Sequence, residues 1–110
     1  TVNEMDLLQV SPDAHSLAMV KQLEEGAAAI RDGFGRLRRD PASAQGYADL
    51  GRKAERRIEK IYRAALVDLF QGDDYLNMFK RREIYRHLSN AGDRLARAAN
   101  TLHDILVKIS

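Results

Sequence analysis

Ile84, Leu88, Ala91, Leu95, Ala98, Leu102, Ile105 and Ile109 follow one another at spacings of four and three. That repeat draws one apolar stripe down a continuous helix and predicts a helix over residues 76–109. Gly92, Ala99 and Leu106 widen the stripe on one flank. Such a width suits a bundle of several helices better than a two-stranded zipper. Asp93 and Asn100 fall one heptad apart on the far side, with Ser89 and Ala96 between the two faces. Rising about 1.5 Å per residue, such a helix runs roughly 50 Å. Nothing short can bury it, so its neighbours must be long helices as well.

The rest of the chain supplies them. Ser11-Pro12-Asp13 reads as a helix start, with Ser11 as N-cap, Pro12 at the first helical position and Asp13 at the positive end of the dipole. Val20, Leu23, Ala27, Ile30, Phe34 and Leu37 continue at helical spacing, and Gly33 and Gly35 weaken the last turns. Asp40-Pro41 repeats the start signal after a short loop, which predicts neighbouring helices of opposite direction. A second helix over 41–71 has the stripe Tyr47, Leu50, Ala54, Ile58, Ile61, Ala65 and Leu69. Gly72 is placed to end it in the left-handed conformation, and Asp73 or Asp74 to cap the next. No segment alternates with period two, so no strand is expected. The fold class is therefore all-α, an antiparallel three-helix bundle of long helices over residues 11–110. Val2, Met5 and Leu7 or Leu8 give residues 1–10 the spacing of a preceding helix end or a linker, and the bundle reads as the second half of a longer protein.

A chain of 110 residues is enough for one domain with a modest core. With 45% hydrophobic and 31% charged residues it is too apolar for disorder. Cys and Trp are both absent, which excludes disulfides and thiolate metal sites and fits a cytoplasmic setting. No run of eighteen apolar residues is present. Eighteen basic residues nearly balance sixteen acidic ones, for a net charge of +2. The basic residues cluster, most densely at Arg52, Lys53, Arg56, Arg57, Lys60 and Arg63. Solvated helix faces account for such runs. The alternative is a helical nucleic-acid-binding module, or a scaffold or oligomerisation module.

Enzyme signatures are missing. There is no Gly-rich phosphate loop and no HExxH, and His15, His87 and His103 are far apart in sequence. The chain is read as not an enzyme. One constellation carries chemistry. Glu55 and Glu59 are four apart and share a helix face, on the flank of the core stripe. Carboxylates so placed repel unless a positive charge lies between them, and a hard cation with oxygen ligands would supply it. Asp93 is a third carboxylate on the outward side of the long helix. Arg52, Arg56 and Arg63 offer the simpler alternative of surface ion pairs. Tyr62 and Tyr85 read as aromatics at the bundle edge with exposed hydroxyls, Gly92 as a point of close helix approach, and Asn100 as an outer position beside Asp93.

These residues carry a resemblance. Tyr47, the pair Glu55 and Glu59, the run from Ile61-Tyr62-Arg63 to Leu69-Phe70, Arg82-Glu83-Ile84-Tyr85, Asp93-Arg94, Ala99-Asn100 and the stretch from Ile105 to Lys108 stand in an order similar to that of the PhoU-like superfamily. Within it they resemble the DUF47 phosphate transport regulators, often found beside Pit-type phosphate transporters. Residues 11–37 fit the first helix of the same repeat. The resemblance implies two tandem three-helix repeats, of which this would be the second. It implies a non-enzymatic regulator or accessory of inorganic phosphate transport, docked by a helical face on a transporter or signalling partner. Such a protein would be cytoplasmic or membrane-peripheral and a homo-oligomer. It also implies an acidic motif on the helices that in some members holds a metal, here Fe, Zn, Mn or Ni. Glu55 and Glu59 match the first such motif, with Glu for its usual final Asp, and Asp93 matches the last acid of the second. Ser89 stands where that motif has its other acid, and Ala96 and Arg97 stand where an acidic pair often follows, so half of the second motif is lost.

Overall fold

A computed structural model describes residues 13–109. It contains three helices, α1 (Ala14–Gly35), α2 (Pro41–Leu69) and α3 (Tyr75–Ile109), and no strand among the described residues. Residues 1–10 and the Ser11-Pro12 start signal lie outside the described residues. All three helices pack on one another. The result is a rod of 54 × 23 × 18 Å with a radius of gyration of 16.3 Å. A rounder domain of about 100 residues would have a radius near 13 Å.

Local chemistry sets the helix starts. Asp13 is itself the N-cap of α1, where sequence placed it inside the helix, and it forms a reciprocal capping box with Ser16. Asp40 caps α2 by accepting from Ser43 N at 3.2 Å, with Pro41 at the first helical position. Asp74 caps α3 by accepting from Asn77 N at 3.2 Å. The helix ends differ more from expectation. The first helix stops at Gly35, where the two glycines weaken its last turns, and Leu37 of the predicted stripe falls in the turn beyond. The second helix stops at Leu69, two residues before Gln71. Gly72 does not take the left-handed conformation, because Phe70, Gln71 and Gly72 donate to Leu66, Asp68 and Leu69 and so satisfy the last carbonyls.

Long-range pairs fix the directions of the helices. His15 meets Asp68 while Gly33 abuts Tyr47, so residue numbers rise along α1 as they fall along α2. Gln45 pairs with His103 and Glu59 with Ser89, which gives the same reversal between α2 and α3.

The core keeps Ile30, Ala54, Ile58, Ala65, Leu69, Ile84, Leu88, Leu95 and Leu102 of the predicted stripes, and elsewhere it shifts to small residues beside them. In α1 the buried line is Ser16, Met19, Gly26, Ala29, Ile30 and Gly33, while Ala27 and Phe34 face out. In α2 it includes Ala44, Ala48, Gly51 and Ala54, and Leu50 is exposed. In α3 the predicted flank of Gly92, Ala99 and Leu106 is central, whereas Ala91, Ala98 and Ile105 are half-buried and Ile109 is exposed. The physical reason is that three thin rods meet along lines where backbones nearly touch. Only small residues fit on those lines, and large ones pack beside them. A Cβ added at Gly26 would lie 2.9 Å from Ala54 Cβ and would overlap the end of Leu95. Met19, Ile58, Ile84, Leu88 and Leu102 fill the space between.

Candidate functional site

Glu55 and Glu59 lie one turn apart on α2, on the flank that faces α3. Between them Ile58 points into the core, fully buried. It packs on Gly92, where an added Cβ would lie 3.2 Å from Ile58 Cγ2. That contact holds α3 close to α2 at this level, and Asp93 is the next residue along. The consequence is that one carboxylate oxygen from each of Glu55, Glu59 and Asp93 lies within 4.8 Å of the others. Sequence spacing placed the first two together and offered Asp93 as a third, and the structure brings Asp93 to them. The patch is less outward-facing than expected, with both glutamates half-buried and Asp93 exposed.

The electrostatics follow from this crowding. Burial raises the Glu55 pKa above the ordinary carboxylate value, the charges of Glu59 and Asp93 raise it further, and Arg56 opposes them. The predicted ion pairs are not formed: among the described residues no arginine lies within salt-bridge distance of Glu55, Glu59 or Asp93. Arg52 instead donates from Nε to Asn100 Oδ1 at 3.1 Å and approaches Asp49 at 3.7 Å. Asn100 is thus an exposed partner of Arg52.

Ser89 takes a part that sequence reasoning missed. Its hydroxyl donates to Glu59 Oε1 at 2.7 Å. The hydroxyl is buried and aimed at a carboxylate. The signal was its place four residues before Asp93, which puts both on the flank facing α2.

The three oxygens fit a hard cation. One oxygen from each carboxylate lies within 4.8 Å of the others, close enough for a single divalent cation to engage all three after small side-chain adjustments. Three carboxylates give a site of net charge −3 from side chains alone, with water left to complete the shell.

A second polar cluster lies at the end of the rod that holds the α2–α3 turn. Asp13 Oδ2 accepts from Arg81 Nη1 at 2.7 Å and also from the Tyr85 hydroxyl. Burial pulls the Asp13 pKa up, but the hydrogen bonds from Tyr85 and Ser16 and the charge of Arg81 outweigh it, and the net shift is downward. Tyr85 is only 3% exposed, which corrects its reading as an edge aromatic with an exposed hydroxyl. Its pKa is raised well above the ordinary tyrosine value by burial, then by its hydrogen bond to Asp13 and that group's charge. His15 stands edge-on to the Tyr85 ring and pairs through Nε2 with Asp68 at 2.8 Å. Tyr62 is half-buried.

Comparison with protein-family models, with curated proteins and with solved structures gives no match. No helix of the described residues is long and apolar enough to cross a membrane.

Proposed function

We propose that this chain is a non-enzymatic regulatory or accessory protein of inorganic phosphate transport, built as a PhoU-like three-helix repeat of the DUF47 kind. In this reading one helical face docks on a Pit-type transporter or a phosphate-signalling partner. The carboxylates of Glu55, Glu59 and Asp93 hold a divalent cation that stiffens the α2–α3 surface. The observation that carries it is the approach of these three groups to within 4.8 Å across two helices. They stand at the positions where the order of residues from Tyr47 to Lys108 resembles that family. Glu55 supports it too, since burial and then the neighbouring charges of Glu59 and Asp93 raise its pKa, and a bound cation would offset both. The cation's role is structural: it neutralises three acids and joins two helices. Ser89 fixes one Glu59 oxygen and leaves the other for the ion.

The test has two arms. Titration calorimetry with Mn²⁺ and Zn²⁺ should show one site per chain, and saturating metal at about 100 times Kd should stabilise folding by about 2.7 kcal/mol. The double variant Glu55→Gln, Glu59→Gln should abolish the binding while folding as stably as the parent without metal. Co-purification with a Pit-type transporter should then weaken in the same variant. Metal binding that survives the double substitution sinks the site, and retention of the transporter without it sinks the coupling.

A further inference from the structure

The outward face of α2 carries Lys53, Arg56, Arg57, Lys60 and Arg63 at helical spacings of three and four, all exposed. Over about 15 Å of helix no carboxylate interrupts them, because Glu55 and Glu59 are turned toward Asp93 and Ser89. None of the five makes a salt bridge or a side-chain hydrogen bond among the described residues. Like charges one turn apart destabilise a helix, and in this row only Arg56 is felt by a carboxylate, Glu55, without forming a salt bridge. The same end of α2 runs into apolar surface. Val67, Phe70, Tyr75 and Phe79 are each more than half exposed. The last three, with Met78 and Arg82, line a shallow recess of about 410 Å³. Arg82 lies over the Phe79 ring, 5.9 Å from its centroid.

We infer that this face is a docking surface for an anionic phospholipid bilayer. Its five cations would lie along the headgroups, and Val67, Phe70 and Phe79 would enter the acyl boundary at one end. The combination decides between anionic partners. A nucleic acid would be met by cations with stacking aromatics among them. Here the row of cations has no aromatic within it, and the apolar groups gather beside it and include aliphatic Val67. A bilayer rewards both parts, since attachment takes a polybasic patch together with buried apolar groups. The absence of a spanning helix among the described residues is consistent with a rod lying on the surface. Bilayer attachment and cation binding use different side chains, so either can fail alone.

Flotation of the full chain with phosphatidylcholine vesicles containing about a third phosphatidylserine tests this directly. The protein should float with these vesicles and not with pure phosphatidylcholine. Each cation contributes roughly fivefold to partitioning. The variant Lys53→Gln, Arg57→Gln, Lys60→Gln should therefore bind roughly a hundredfold more weakly. All three side chains are exposed, and an unchanged helical circular dichroism spectrum confirms the variant's fold. Phe70→Ser should weaken binding by about tenfold, and the effect should persist at high salt. Equal flotation with neutral and anionic vesicles, or unchanged binding by the triple variant, would overturn the inference. So would binding to duplex DNA tighter than to vesicles and indifferent to Phe70→Ser, which would hand the face to nucleic acid.

Discussion

Asp13 does two jobs with one carboxylate. Oδ1 caps α1 by accepting from Ser16 N at 2.7 Å, and Oδ2 receives Arg81 and Tyr85 from α3. A local helix signal thereby becomes a long-range tie. Its pKa is depressed, so its contribution is present above the unfolded value of about 4 and is lost as pH falls through the folded one. Tyr85→Phe removes a donor to a charged acceptor and should cost about 2 kcal/mol at neutral pH. The variant should also lose less stability than the parent between neutral pH and about pH 3, because less of the Asp13 shift remains. Urea unfolding at the two pH values checks both statements. Equal acid losses in the two proteins would show that the hydroxyl does not hold this charge.

At the scale of the helix, small residues decide where the rods meet. Adding Cβ at Gly26 meets another Cβ at 2.9 Å, and neither helix can yield without shifting backbone. Gly26→Ala should destabilise by about 1–3 kcal/mol despite its better helix propensity. Gly92→Ala meets only Ile58 Cγ2 at 3.2 Å, which needs a few tenths of an ångström. There the propensity gain of about 1 kcal/mol offsets the strain, and the variant should unfold within about 1 kcal/mol of the parent. Thermal unfolding of the pair gives the comparison. This also shows what could be read beforehand. Asp40-Pro41 declared its helix start because a cap is made within four residues. The pair Glu55 and Glu59 was visible for the same reason. The face that Leu50 presents was misread, since hydrophobicity marks large side chains whereas the line of closest contact selects Ala48 and Gly51. Asp93 was offered as a third carboxylate on the outward side of its helix, but its approach to the glutamates, like the hydrogen bond from Ser89 to Glu59, was not legible. Both depend on how near Gly92 lets α3 come to Ile58, a distance between helices that no spacing along one chain encodes.

Across the whole molecule the interior is unequal. One cluster runs from Met19 through Ile58 and Leu88 to Leu95 and Ala99, while Ala44, Ala48, Leu102 and Leu106 form a separate, smaller one with Leu37 at its edge. Two of those four are alanines, so the end of the rod that joins α1 to α2 buries little apolar area for its length. Its stability against local opening should be the lower of the two. That end also carries Arg36, Arg38 and Arg39 in the exposed turn, whereas the opposite turn from Phe70 to Asp74 has neither lysine nor arginine. Limited trypsin digestion should therefore nick the chain first after one of those three arginines, releasing a fragment that ends at residue 36, 38 or 39 while the remaining helices stay uncut.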